Sequence, residues 1–145
     1  MSNQAIIIEK IFDASVQKVW DALTENAQMK QWYFNLAEFK AEAGFEFQFY
    51  GGKPEGKQYL HVCKVTEVIK GKKLTYSWRY DGYIGNSLVT FELIEEGEKT
   101  KLKLTHTGIE TFDSSVPDFA SENFAEGWTY IVNIALFNYL KGEKA

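Results

Sequence analysis

Between residues 45 and 107 the chain repeats one pattern five times: apolar side chains at every second position, then a short polar turn. Phe45, Phe47 and Phe49 alternate with Glu46 and Gln48. Tyr59, His61, Cys63 and Val65 share one face of the next segment, while Val68 falls on the other, which predicts a bulge near Thr66 and Glu67. Leu74, Tyr76, Trp78 and Tyr80 follow, then Val89, Phe91 and Leu93, then Leu102, Leu104 and His106. Period two marks strands with one dry face. The turns at 51–56, 70–72, 81–82 and 95–98 are too short to hold a crossover helix, so the strands form an antiparallel meander.

A meander with one dry face needs a cover. The only long candidate lies at the C-terminus. From Ser121, apolar residues recur at Phe124, Trp128, Ile131, Val132, Ala135, Leu136, Tyr139 and Leu140, the wide stripe of a helix ~30 Å long. Lys141 and Gly142 predict its stop. Ahead of the meander, residues 5–12 read as an Ile-rich strand. Ser15 then reads as the N-cap of a short helix with Val16, Val19, Trp20 and Leu23 on one side. A second short helix carries Met29, Trp32 and Tyr33, and period two sets in from Leu36. The predicted fold is therefore α+β, a helix-grip: a curved antiparallel sheet of six or seven strands wrapped around the C-terminal helix, with two short helices after the first strand. Residues 1–145 form one domain, with no linker or internal repeat.

Charge and composition remove several functions. Both signs are interleaved along the chain and the net charge is −4, with no basic stripe for nucleic acid or an anionic membrane surface. No apolar run is long enough to span a bilayer, and no basic segment leads into an apolar one at the start, so no signal peptide and a cytoplasmic location are expected. Cys63 is alone, which rules out an internal disulfide and reads as a small core residue. No nucleotide, hydrolase or metal-ligand motif occurs, so no metal, cofactor or catalytic set is expected.

The surplus lies in aromatic residues, at 16% of the chain. Trp32, Phe47, Tyr59, His61, Tyr76, Trp78, Tyr80, Phe91, His106, Phe124 and Trp128 are candidates to line an interior cavity. Plain core packing accounts for many of them, because apolar ligand sites and cores are built from the same residues. His106 points inward beside Leu102 and Leu104. It is either a polar contact or general base near neutral pH, or a core histidine holding the last strand to the loop after it. The second role is favoured, since no further catalytic group is tied to it. Arg79 alternates outward, and residues 111–123, with Phe112 and Phe119, form an irregular stretch suited to a lid.

Several segments carry a family resemblance. The run FDASVQKVWDALT at 12–24, Trp32, Gly44 before Phe45, LTYSW at 74–78, TKLKLTHTG at 100–108 and Gly127 with Trp128 lie in matching order and spacing. Together they resemble the activator-of-heat-shock-ATPase-like family of the START-like superfamily. That resemblance implies the grip fold and three functional expectations. One is a non-enzymatic domain binding a small hydrophobic or amphipathic ligand. Another is a co-chaperone-like partner of a heat-shock chaperone, although this chain opens directly at the START-like segment, without the N-terminal domain of the eukaryotic co-chaperones. The third is an enzyme like the START-like cyclases and aromatases. A monomer or weak homodimer is expected.

Overall fold

The computed structural model describes residues 5–33, 38–52, 57–113 and 115–144. The expected onset of period two at Leu36 lies outside them, as do residues 53–56 of the expected turn at 51–56, whose first two residues, Gly51 and Gly52, are strand instead. Strand β1 (Ile6–Phe12) leads into helices α1 (Val16–Thr24) and α2 (Asn26–Trp32). Strands β2 (Glu46–Gly52), β3 (Gln58–Ile69), β4 (Lys73–Tyr80), β5 (Ser87–Glu96) and β6 (Lys99–Thr107) follow. Two 3₁₀ turns, Ile109–Thr111 and Pro117–Phe119, precede the C-terminal helix.

The six strands form one antiparallel sheet in the order β1-β6-β5-β4-β3-β2. The meander supplies five of them, and β1 closes on β6 by pairing Ile8 with Leu104 and Phe12 with Thr100. The threonine seals that corner, donating from its hydroxyl to the Ala14 carbonyl at 2.8 Å. The predicted bulge is present, with the β3–β4 register shifting between Val65 and Glu67. It keeps Tyr59, His61, Cys63 and Val65 buried together and ends the alternation before Val68. Ser15 caps α1 as expected, its hydroxyl accepting from the Lys18 amide at 3.2 Å.

The covering helix differs from expectation in two ways. It is α-helical over α3 (Ser121–Tyr130), π-helical over Ile131–Leu136, and α-helical again over α4 (Phe137–Lys144). Its fully buried residues are Phe124, Trp128, Val132, Leu136 and Leu140, a strict four-residue repeat, while Ile131, Ala135 and Tyr139 are only half-buried. In a regular α-helix a four-residue step overshoots one turn by ~40°. The wider i→i+5 turn rotates the stripe back toward the sheet. The predicted stop at Gly142 is the second correction, since α4 continues through it to Lys144. A glycine ends a helix by turning left-handed, and in helical conformation it costs only about 1 kcal/mol against alanine.

Candidate functional site

Cross-strand register builds the wall of the site. Phe49, His61 and Tyr80 face one another across β2, β3 and β4, and the next row runs Phe47, Cys63, Trp78, Ser87. Rings therefore meet at close range. Phe49 stacks on His61 at 4.6 Å, and His61 meets the edges of Trp78 at 4.9 Å and Tyr80 at 4.7 Å. Opposite this wall, α3 brings Phe124 and Trp128, α2 brings Trp32 and Tyr33, and the turn Pro117–Phe119 brings Asp118 and Phe119. Between them lies a cleft of about 760 Å³.

The turn is tied down at both of its cleft residues. Phe119 stacks on Tyr80 at 4.5 Å, and the Tyr59 hydroxyl donates to Asp118 Oδ2 at 2.7 Å. Burial and that carboxylate push the Tyr59 pKa up to about 12. The indole N–H of every cleft tryptophan is engaged within the protein. Trp32 donates to the Ala22 carbonyl at 3.0 Å, Trp78 to the Tyr80 hydroxyl at 2.9 Å, and Trp128 to His106 Nδ1 at 2.9 Å. The rings are held in place, with their N–H groups turned to partners within the protein.

His106 lies behind this wall, fully buried. Its Nδ1 accepts from Trp128, and its Nε2 lies 2.8 Å from the Ser87 hydroxyl, which itself donates to the Trp78 carbonyl at 2.8 Å. The serine proton is thus spent on Trp78, so Nε2 carries the imidazole proton. Both nitrogens are satisfied in the neutral ring, and burial lowers the pKa to about 3. Of the two roles open to His106, the geometry is that of the structural one, although its partners are a tryptophan and a serine. His61 donates from Nδ1 to the Tyr59 carbonyl at 2.9 Å. Burial lowers it to about 4, against the opposing pull of the Tyr59 and Phe49 backbone.

Seven of the expected residues line the cleft: Trp32, Tyr59, His61, Trp78, Tyr80, Phe124 and Trp128. Four do not. Phe47, Tyr76, Phe91 and His106 are buried further along the sheet, where they pack the core. Alternation assigns a residue to a face but not to a place along that face. Among the lining residues missed were Tyr33, Asp118, Glu126 and two glycines, Gly51 and Gly127. Tyr33 shares a 2.6 Å hydroxyl–hydroxyl bond with Tyr76 and packs on Trp32 and Trp128. Burial first, then Tyr76, raises its pKa well above the usual tyrosine range. The glycines are a readable signal, because a glycine inside a strand or helix pattern marks a close approach or an opening. Phe112 lies outside the cleft and supports it, packing on Tyr80 and stacking on Phe124. Arg79 is exposed and Cys63 buried, as expected, with burial pushing the thiol pKa up.

A six-stranded antiparallel sheet packed on a long C-terminal helix, with two short helices after the first strand and an aromatic cleft at one end, is the arrangement of a START-like helix-grip domain. The chain belongs to the family described as Activator of Hsp90 ATPase homolog 1-like protein, whose pattern matches residues 13–141. Similar solved structures include the Mll3558 protein of Rhizobium loti, at TM-score 0.80 and 19% identity over 94% of this chain and 96% of that one. Protein CV1439 of Chromobacterium violaceum has TM-score 0.77 and 19% identity over 95% and 96%. Protein BH1534 of Bacillus halodurans has TM-score 0.70 and 29% identity over 94% and 96%. No curated protein gave a significant sequence match. Among the described residues, no helix is long and apolar enough to cross a membrane.

Proposed function

We propose that this domain is a non-enzymatic binding module that holds one small hydrophobic or amphipathic molecule in the cleft. The observation that carries this reading is the cleft itself, about 760 Å³ walled mainly by aromatic rings. That volume falls within the range of small-molecule sites. The rings are fixed by hydrogen bonds made on the protein side, so the surface is formed before a ligand arrives and binding orders little. His61, Asp118 and Asn123 supply a few polar groups along it.

Gentle purification followed by native mass spectrometry tests the proposal. Titration with fatty acids, lysolipids and uncharged polycyclic aromatics would follow, read by tryptophan fluorescence. Three of the four tryptophans line the cleft, so an occupant must change their emission. No bound mass and no response to any member of the panel would sink the reading.

A second reading rests on the family match, whose description names an activator of the Hsp90 ATPase. It makes the domain a chaperone-interacting module, and it carries only the weight of association. A pull-down with the cell's ninety-kilodalton heat-shock chaperone, coupled to an ATPase assay, decides it. Neither binding nor a change in rate would remove it. A cyclase-like enzyme needs an acid or base facing the cleft; His106 has both nitrogens engaged behind the wall, which leaves Asp118, Glu126 and His61 as the titratable lining groups for that reading.

A further inference from the structure

Resting on the binding reading, we propose that the cleft prefers a cationic aromatic ligand, a planar ring system bearing a protonated amine or quaternary ammonium, over an anionic lipid. Among the described residues, nine of the sixteen that line the cleft are Phe, Tyr or Trp, and the charged ones are Asp118 and Glu126, with no Lys or Arg. Cations are drawn to the faces of aromatic rings, tryptophan above all. The three cleft indoles offer no N–H to an anion, since each is already donated within the protein, and what they contribute to the lining is ring surface.

Two further lining residues also donate within the protein. The Tyr59 hydroxyl goes to Asp118, and the Asn123 amide donates to the Pro117 carbonyl at 2.8 Å. His61 is neutral at physiological pH and adds no positive charge. Lys57 does not line the cleft; its ammonium lies 5.5 Å from the Tyr59 and Tyr83 rings and donates to the Tyr83 hydroxyl at 2.8 Å. Tyr80 on the sheet side and Tyr130 on α3 add neutral phenols to the lining. An entering carboxylate or phosphate therefore loses its water and meets two carboxylates, with no Lys or Arg among the described lining residues and Lys57 set beyond the Tyr59 ring. An ammonium gains two carboxylates and several ring faces.

The test uses three probes with one aromatic body: 1-pyrenemethylamine, 1-pyrenemethanol and 1-pyrenecarboxylate, titrated at neutral pH and read by pyrene anisotropy. Gly127→Trp is the control for location. A β-carbon at Gly127 meets nothing within 4 Å, so the new ring enters open space and abolishes binding of all three. The amine is expected to bind about tenfold or more tightly than the carboxylate, with the alcohol between, and 0.5 M salt to narrow the gap. The double variant D118N/E126Q should bring amine and carboxylate within about twofold, while the amide oxygen that replaces the Asp118 carboxylate still accepts from Tyr59. A carboxylate that binds as tightly as the amine overturns the charge preference and leaves the apolar reading standing. So does a double variant that keeps the full preference. If no probe binds, or binding ignores Gly127→Trp, the binding reading itself falls and this inference with it.

Discussion

Mild acid should destabilise this domain through its two histidines. Both are buried and held neutral, His106 with its pKa lowered to about 3 and His61 to about 4. In the unfolded chain each returns to about 6.5. Below that pH the unfolded state takes up protons that the folded state refuses, so stability falls as pH falls from about 6.5 and levels only near the folded values. At pH 5 the penalty is RT ln(1 + 10^1.5), about 2 kcal/mol for each histidine and about 4 kcal/mol for both. Urea unfolding followed by tryptophan fluorescence between pH 7.5 and 5 measures it, in a window above the main titration of Asp and Glu. The wild type should lose about 4 kcal/mol across that window, His106→Gln and His61→Gln about 2 kcal/mol each, and the double variant little. The comparison is between slopes, so a lower starting stability of a variant does not affect it. If His106→Gln loses as much as the wild type, His106 is not held neutral by the fold, and the Trp128–His106–Ser87 relay is wrong.

Three further substitutions probe the cleft and its frame. Gly127→Ala places a better helix former in α3, where the new methyl touches nothing; it should raise stability by about 0.5–1 kcal/mol in urea unfolding, and a loss would show that the helix is not regular there. Tyr59→Phe removes the bond to Asp118 and should cost about 1 kcal/mol, with faster hydrogen exchange at the Phe119 and Ala120 amides, which close the short turn on Val116 and Pro117; unchanged exchange would mean that the ring stack alone holds the turn. Gly85→Ala forces a β-carbon onto a φ of +109° and to 2.5 Å from the Phe112 ring and 2.7 Å from the Thr111 carbonyl. It should cost more than about 2 kcal/mol by thermal or urea unfolding, and a neutral result would show that the loop before β5 packs differently.

The sheet was legible because its signal is local. Alternation in the five segments, the bulge near Glu67 and the Ser15 cap each depend on a few adjacent residues. The cleft depends on where those elements meet, which alternation does not specify. Tyr76 and Trp78 read alike in the sequence, yet two residues along β4 separate a core ring from a cleft wall. Ser87 opens β5 after an irregular stretch, and only the β4–β5 register sets it opposite Trp78 and within reach of His106. Asp118 sits in a turn without periodicity, and its partner Tyr59 lies 59 residues away. All eight residues of the helix stripe pack on the core, but the sequence does not show which of them are buried deepest: its repeat assumes a regular helix, and the π-helical turn leaves Ile131, Ala135 and Tyr139 only partly covered.

Two glycines separate a filled core from an open one. On β2 the inward positions run Phe47, Phe49, Gly51, so the row that begins with two rings ends without a side chain beside Tyr59. On α3 Gly127 is exposed, between the buried Phe124 and Trp128, and it too lines the cleft. A mid-helix glycine is a standing cost in stability, and here a β-carbon would meet no obstacle, so packing does not explain it. Space does. The walls on either side are rigid: Trp78 and Trp128 are locked by hydrogen bonds within the protein, and Phe112, Phe119 and Phe124 pack on the Tyr80 ring. A rigid aromatic wall kept open at a small cost in stability is what a site for a flat, apolar body requires, and on the proposed reading the carboxylates at Asp118 and Glu126 would decide which charge that body brings.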